Sequence, residues 1–558
     1  MSTDRYIFRF LLVSLNVDTI LEGTTIRSRR KKIDEMTDNW GLEGAYGATL
    51  GRIKEQGREG SRLGIAALMW ISHSERPLKA DELCHALGVE IGSADLHDDN
   101  VPSITTLLAC CKGLVAVDKE ASAVRLIHFT LQEYLQAHAE HFDRPQEAMA
   151  ETCLRYLNSH QVKALSPNSS PDDPHLQDTP FLEYSSLYWG VHAKRDLSDS
   201  AKQLALRLFD DDYCNHTSPR ILANKEKRGY FKRYSNKPLL FSGLHYASFF
   251  GIDGIVTCFV EGEGRNINRT DCRGSTPLAL AASHGHEGVV NTLLGRDGVN
   301  PRKLDKRGQT PLHRAAAGGH EGVVKILLGQ DGVDPNKSDR RDRTPLYRAV
   351  MEGHEGVVKI LLGRDDVDPN KPNESGETPL SWAASKGHEE IVKILLGWDY
   401  INPDEPDWYG RTPLSCAASK GHAELVKMLL GRDDVNPDKA NNDGRTPLSW
   451  AAFGGHAEPV KMLLGRGDVN PDKPDNNGRT SLSWAASEGW NAEVVKILLG
   501  RDDVNPDKPD NNGRTPLSWA AVGGHAEQVE MLLGRDDVNP DKADNDGRTP
   551  LSWAASEG

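Results

Sequence analysis

Cysteine is scarce in this chain. Eight occur in 558 residues, with Cys110 and Cys111 adjacent and the others isolated. No CxxC pair and no His/Cys cluster at zinc spacing is present, and the density is far too low for a disulfide framework. The pattern fits a reducing compartment, so a sequon such as Asn215-His216-Thr217 reads as a chance match. Long apolar runs are missing too. Phe8 to Val17 is apolar but short, Asp18 follows it, and no small-residue cleavage site does. It is too short to span a bilayer and a poor signal peptide. Cations are in deficit: 67 Lys and Arg face 81 Asp and Glu, for a net charge of −14. Phosphate contacts need clustered Lys and Arg, so nucleic acid and anionic membranes are disfavoured as partners. The most decisive absence is a phosphate-binding loop. No G-x-x-x-x-G-K-[ST] occurs, and no strand ending in paired acids precedes residue 60. Without these the chain cannot cradle a nucleotide and its Mg²⁺. No cofactor, metal or small-molecule substrate is expected, and the chain is not expected to be an enzyme.

What is present is a repeat. The pattern T-P-L-x-x-A-A, Gly-His, V-V-K-x-L-L recurs with its threonine at Thr276, Thr310, Thr344, Thr378, Thr412, Thr446, Thr480, Thr515 and Thr549. A degenerate first copy, Ser242-Gly243-Leu244-His245, sits one period earlier. The period is 34 residues, with one step of 35 between Thr480 and Thr515. One such unit cannot bury its own apolar face and must stack on neighbours into a solenoid. Thr515 is a helix N-cap and Pro516 suits the first helical position. Gly523-Gly524 ends the first helix, and Ala526 to Leu533 forms a second. GRDDVNPDKADNDGR then reads as a long turn-rich loop. The insertion at Trp490-Asn491 falls in the turn between helices.

This pattern resembles the ankyrin repeat over residues 242–558, nine copies complete and one truncated. It departs from the usual form in its extra residue, in the Asp342 that replaces a turn glycine, and in the serines that replace the TPLH histidine. That histidine survives at His245 and His313, and serine stands at Ser381, Ser415, Ser449, Ser483, Ser518 and Ser552. The last copy ends at Gly558, before its second helix, which suggests a fragment or a truncated gene product.

Residues 1–241 differ. Ser61 to Ile71, Ala80 to Leu87 and Val101 to Cys111 read as helices. Gly113 to Val117 and Val124 to His128 read as a hairpin. Thr130 with Glu133 reads as a capping box opening a helix from Leu131 to His138. Three helices, a hairpin and a helix make a winged-helix pattern. WISHSERPLKADELCHALGVEIG (Trp70 to Gly92) and LIHFTLQEYL (Leu126 to Leu135) resemble the winged helix of fungal NACHT-type STAND receptors, a domain also named after GPI inositol deacylase. Phe10 to Leu21 and Ala45 to Lys54 resemble the helical end of a NACHT module. No G-x-S-x-G is present, so the deacylase name implies a fold and not a lipase. The expected organisation is a helical remnant at 1–60, a winged helix at 61–144, a helical linker at 145–241 with an exposed loop at Ser166 to Pro174, and the repeats at 242–558. The fold class is mainly α: an ankyrin α-solenoid with an N-terminal helical and winged-helix region. Phe181 to Trp189 is aromatic and suited to cover Phe249 and Phe250 of the first repeat.

Two sets of residues are candidates for function. The STAND resemblance implies that His128 contacts the phosphates of bound ADP; the other reading is a strand-end histidine stabilising the next helix start. Residues 61–143 hold six Lys/Arg against twelve Asp/Glu, the wrong balance for a DNA-reading winged helix. In the repeats, the residue after T-P-L-x includes Arg314, Arg348, Trp382, Trp450, Trp484 and Trp519. The ankyrin resemblance places it on the helix lining the concave face, where tryptophans make good anchors for a protein partner. The alternative is that each indole packs between its own repeat and the next. The recurring His286, His320, His354, His388, His422, His456 and His525 are read as local caps or packing, not metal ligands. The expected function is protein–protein recognition as a scaffold or module of an intracellular, cytoplasmic (or nuclear) STAND-like, NLR-like receptor. Two alternatives are part of a signalling ATPase whose P-loop lies upstream, and a purely structural ankyrin adaptor.

Overall fold

In a computed structural model, residues 24–31, 42–90, 95–118, 120–163, 178–210, 242–262 and 266–557 are described. The expected readings of Phe8 to Val17, Phe10 to Leu21 and Ser166 to Pro174 lie outside them. The chain forms two compact units, one of residues 1–277 with 291–299, the other of 278–290 with 300–558. The first repeat therefore belongs to the N-terminal unit, and the division falls inside the second repeat and not at residue 242.

The first unit begins with α1 (Leu42–Lys54), α2 (Arg58–His73), α3 (Ala80–Gly88) and α4 (Ile104–Cys110). Gly64 on α2 is required by close approach: a Cβ there would lie 2.8 Å from both the Cys110 carbonyl and Ile53 Cγ2. The hairpin β1 (Val115–Asp118) and β2 (Ala123–Leu126) follows, antiparallel with Val115 opposite Leu126. A third short extended piece, unforeseen in the sequence, joins it. The Val124 N–H donates to the Leu78 carbonyl at 2.8 Å, and Lys79 bridges Ala123. With α5 (Phe129–Ala137) this completes the winged-helix order.

The start of α5 corrects the sequence reading. Its N-cap is His128, not Thr130, and the helix begins at Phe129. His128 Nδ1 accepts the Thr130 N–H at 3.3 Å, while the Thr130 hydroxyl is committed to His128 (2.8 Å) and the Tyr46 hydroxyl (2.8 Å).

Helices α6 (Pro145–Asn158), α7 (Leu182–Arg195) and α8 (Asp199–Asp210) follow. Phe181 at the head of α7 sits edge-on to Trp70 and Tyr156, with centroids 5.4 and 5.2 Å apart. Buried His192 joins the Tyr184 hydroxyl (2.9 Å) to Gln146 (2.6 Å). The first repeat, α9 (Gly243–Phe250) and α10 (Asp253–Glu261), is covered as its aromatics require. Trp189 meets Phe250 at 5.8 Å, and Phe209 meets Tyr246 at 5.6 Å.

The second unit is a stack of helix pairs, one pair per repeat, as in Pro516–Val522 with Ala526–Leu533. Local chemistry sets each pair. The N-cap threonine accepts the N–H three residues on, as Thr344 does from Tyr347 (3.1 Å) and Thr446 from Ser449 (3.2 Å). Such caps contribute about 1 kcal/mol each. Proline occupies the next position, where no donor is missed. Inside the stack the Ala-Ala pairs, such as Ala383-Ala384 and Ala451-Ala452, and second-helix residues such as Val323, Val324 and Leu327 are fully buried between layers, whereas Leu533 near the end of the array is half exposed.

Candidate protein-interaction surface

Three ladders tie one repeat of the second unit to the next. The first is the recurring histidine at the start of each second helix. In the repeats of His320, His354, His422, His456 and His525, though not of His388, its Nε2–H donates back to the carbonyl at the end of the preceding first helix: His320 to Ser283 (3.1 Å), His354 to Ala317 (3.0 Å), His422 to Ser385 (3.4 Å), His456 to Ser419 (3.2 Å), His525 to Ser487 (3.1 Å). In the 35-residue repeat, Asn491 performs the same task through its amide to Ala452 (2.8 Å). Trp490 is then the extra residue, exposed in the turn between helices. These histidines are crosslinks, and among the described residues no group of three His, Cys, Asp or Glu could hold a metal.

The second ladder lies in the loops. Lys439, Lys473, Lys508 and Lys542 each donate from Nζ to a carbonyl of the preceding loop at 2.7 Å. Arg432, Arg466, Arg501 and Arg535 donate to the carbonyl ending the preceding second helix, at 2.7–3.0 Å.

The third contains the tryptophans. Trp450, Trp484 and Trp519 belong to one continuous stack with Trp553, and arginines alternate with them. The Arg445 guanidinium lies 4.8 Å from the Trp450 ring and 3.7 Å from Trp484. Arg479 lies 3.5 Å from Trp484 and 4.0 Å from Trp519, and Arg514 lies 5.0 Å from Trp519 and 4.4 Å from Trp553. Each desolvated pair contributes on the order of 1–2 kcal/mol. Burial pushes Arg479 down to about 10, which leaves it charged at neutral pH. An aspartate nine residues before each indole accepts its N–H: Asp475 from Trp484 (3.0 Å), Asp510 from Trp519 (3.2 Å), Asp544 from Trp553 (2.9 Å). Where that residue is Asn373 or Asn441, the indole N–H of Trp382 or Trp450 is buried without a partner. Each amide oxygen already accepts two backbone N–H groups, and the amide nitrogen is a donor, which leaves no acceptor for the indole.

The sequence reading found the tryptophans but not these arginines. The signal was present as R-T-P-L-S-W: arginine and tryptophan five apart meet within a repeat, and Arg445, Arg479 and Arg514 also reach the tryptophan of the next repeat. Of the other candidates, Arg314 is tied to buried Asp305 (2.7 Å) and Arg348 pairs with Glu352 (3.5 Å). Trp382 stands outside the stack, against Tyr347 and Lys386, because Cys416 holds the next position. His128 has its Nδ1 engaged in the α5 cap, the geometry that the helix-start reading requires.

The family model described as "Ankyrin repeats (3 copies)" matches residues 244–339, 287–373, 346–439, 433–510 and 489–558. The chain belongs to the ankyrin-repeat family. The model described as "GPI inositol-deacylase, winged helix domain" matches residues 52–145, where the three helices and hairpin lie. No curated protein matches this chain. Ankyrin repeats are protein-interaction modules, so this array is a protein-binding surface. No described helix is long and apolar enough to cross a membrane.

Proposed function

We propose that this ankyrin protein is the recognition part of an intracellular STAND-like, NLR-like receptor. The array engages another protein, and the winged helix serves as its platform. The chain acts in the cytoplasm and carries out no catalysis of its own. The observation that carries this reading is the pairing, in one chain, of a deacylase-type winged helix over 52–145 with an ankyrin array over 244–558. The acidic balance and the lack of a phosphate loop support a role without nucleotide turnover or nucleic-acid binding. Arg314, Arg348, Trp382, Trp450, Trp484 and Trp519 enter it as the helix-one wall of the binding surface.

The test has two arms on the full chain. Thermal melting with ATP, ADP or GTP and Mg²⁺ is expected to show no shift, and phosphate release no turnover. A nucleotide-dependent shift that His128→Ala abolishes would overturn the non-catalytic reading. In the second arm, captured partners are compared for Trp382→Ala and Trp450→Ala. Weakened capture at unchanged melting supports the wall as contact surface; lowered melting with intact capture assigns the indoles to packing.

A further inference from the structure

One loop of the array departs from the loops that follow it. Residues 397–411 read GWDYINPDEPDWYGR, where the next loop reads GRDDVNPDKANNDGR. Trp398 stands where the later loops carry Arg432, Arg466, Arg501 and Arg535, and Glu405 stands where they carry Lys439, Lys473, Lys508 and Lys542. Those are the two residues that crosslink each later loop to the repeat before it. Loop 397–411 has therefore lost both ties. Glu405 instead accepts locally from the Asn402 amide at 2.6 Å.

In their place the loop shows aromatic surface. Trp398, Tyr400, Trp408 and Tyr409 are 36%, 83%, 69% and 63% exposed. Among the described residues, the other large aromatics so exposed are the inserted Trp490 and, outside the array, Phe129. Side chains that weaken local structure and expose apolar area point to binding.

The tip is held rigid. The Trp408 N–H donates to the Ser375 carbonyl (3.2 Å), and Asn442 donates to the carbonyls of Tyr409 (3.0 Å) and Trp408 (2.8 Å). The Trp408 ring lies so close to Gly376 that a Cβ there would meet it at 2.3 Å. Aromatic groups fixed before binding lose little entropy on contact.

Charge indicates the partner. Loop 397–411 holds one base, Arg411, against Asp399, Asp404, Glu405 and Asp407. Arg411 is consumed by buried Asp407 (2.7 Å) and stacks beside Tyr409 (5.2 Å). Among the described residues, Asp399 and Glu405 enter no ion pair. The preceding loop, 363–377, adds Asp365, Asp366, Asp368, Glu374 and Glu377 against Arg364 and Lys371.

We infer that loop 397–411 is the docking point for an extended basic segment of another protein, whose Arg or Lys side chains lie on the rings of Trp408 and Tyr409. Arg445, Arg479 and Arg514 already display this contact within the array. The inference rests on the recognition reading above and gives it a location and a ligand chemistry.

The experiment selects peptides from a random display library on the full chain and measures them on two variants. Trp408→Asn with Tyr409→Asn restores the Asn-Asn tip of residues 476–477 and 511–512. Trp398→Arg with Glu405→Lys restores both crosslinks and should raise the melting temperature, so lost binding there cannot be lost folding. The expected result is enrichment of Arg- or Lys-rich peptides whose affinity falls at least tenfold on both variants. Enriched peptides without net positive charge overturn the inference. So do peptides that bind both variants as the parent does, although they leave recognition by the array standing.

Discussion

At the scale of single residues, each repeat serves as a control for the others. Trp484 and Trp450 occupy the same position, yet one indole N–H reaches Asp475 at 3.0 Å and the other reaches nothing. The difference is one atom, an amide nitrogen of Asn441 in place of a carboxylate oxygen. Asn441→Asp is expected to stabilise the array by about 1 kcal/mol, the usual net worth of one hydrogen bond. Urea unfolding reads this, and the gain should vanish in a Trp450→Phe background. Asp342 is a second case. It holds φ +56° where Gly308, Gly376 and Gly410 hold +76° to +78°. A side chain there is strained by about 1 kcal/mol. Asp342→Gly should therefore raise stability by up to that amount, despite glycine's larger unfolded-state entropy. An unchanged or lowered midpoint would contradict the strain argument.

At the scale of elements, the Arg–Trp stack makes each first helix depend on the next. Trp484 is 9% exposed and lies between Arg445 and Arg479. Trp484→Ala should cost about 3 kcal/mol or more, as truncation of a buried Trp does. It should also leave Arg479 buried with one fewer partner. Trp490→Ala, at an exposed turn, is expected to shift the denaturation midpoint within error. Equal losses at the two sites would show that the stack contributes nothing beyond local burial. The tryptophan positions were legible in the sequence because they recur in phase. The arginines that cover them were not, because five residues is no helix period: each arginine meets its own tryptophan across the turn before the N-cap, and the next one only through the stacking of repeats.

At the scale of the whole molecule, pH acts on both units through histidines that burial keeps neutral. His245 in the first unit and His313 in the second are each pushed down to about 4, first by burial. In each, Nδ1 accepts a backbone N–H of its own cap, from Ser242 (3.1 Å) or Thr310 (3.2 Å). Nε2 donates 30 residues on, to the Ser275 (3.2 Å) or Arg343 (3.0 Å) carbonyl. A proton on Nδ1 would destroy the cap. With the folded value below the unfolded 6.5, the unfolded chain binds more protons in this range. The stability is therefore complete above about pH 6.5 and lost as pH falls towards 4. At about 1.4 kcal/mol per unit, each histidine accounts for on the order of 3 kcal/mol over that window. His313→Ser, the residue most later repeats carry, should flatten the fall while lowering stability at pH 7. A pH-independent midpoint between 7 and 5 in the parent chain would refute this.

The amino-acid sequence alone determined the helix pairs, their caps and their stacking, because cap, proline, Ala-Ala and Leu-Leu recur in a fixed phase that only one local structure satisfies. It also determined the winged-helix order, through hydrophobic spacing and the hairpin. Tertiary structure decided which residues meet between repeats. The histidines became crosslinks, not caps alone, and His128 rather than Thr130 capped α5. The first repeat joined the N-terminal unit through Trp189 and Phe209. In loop 397–411, tertiary structure alone revealed that Trp398 and Glu405 replace two working crosslinks. The physical reason is that ties between repeats join side chains 30 to 40 residues apart, which depends on how layers stack and which no local propensity encodes; the α5 cap likewise turns on a distant residue, Tyr46, whose hydroxyl bonds that of Thr130.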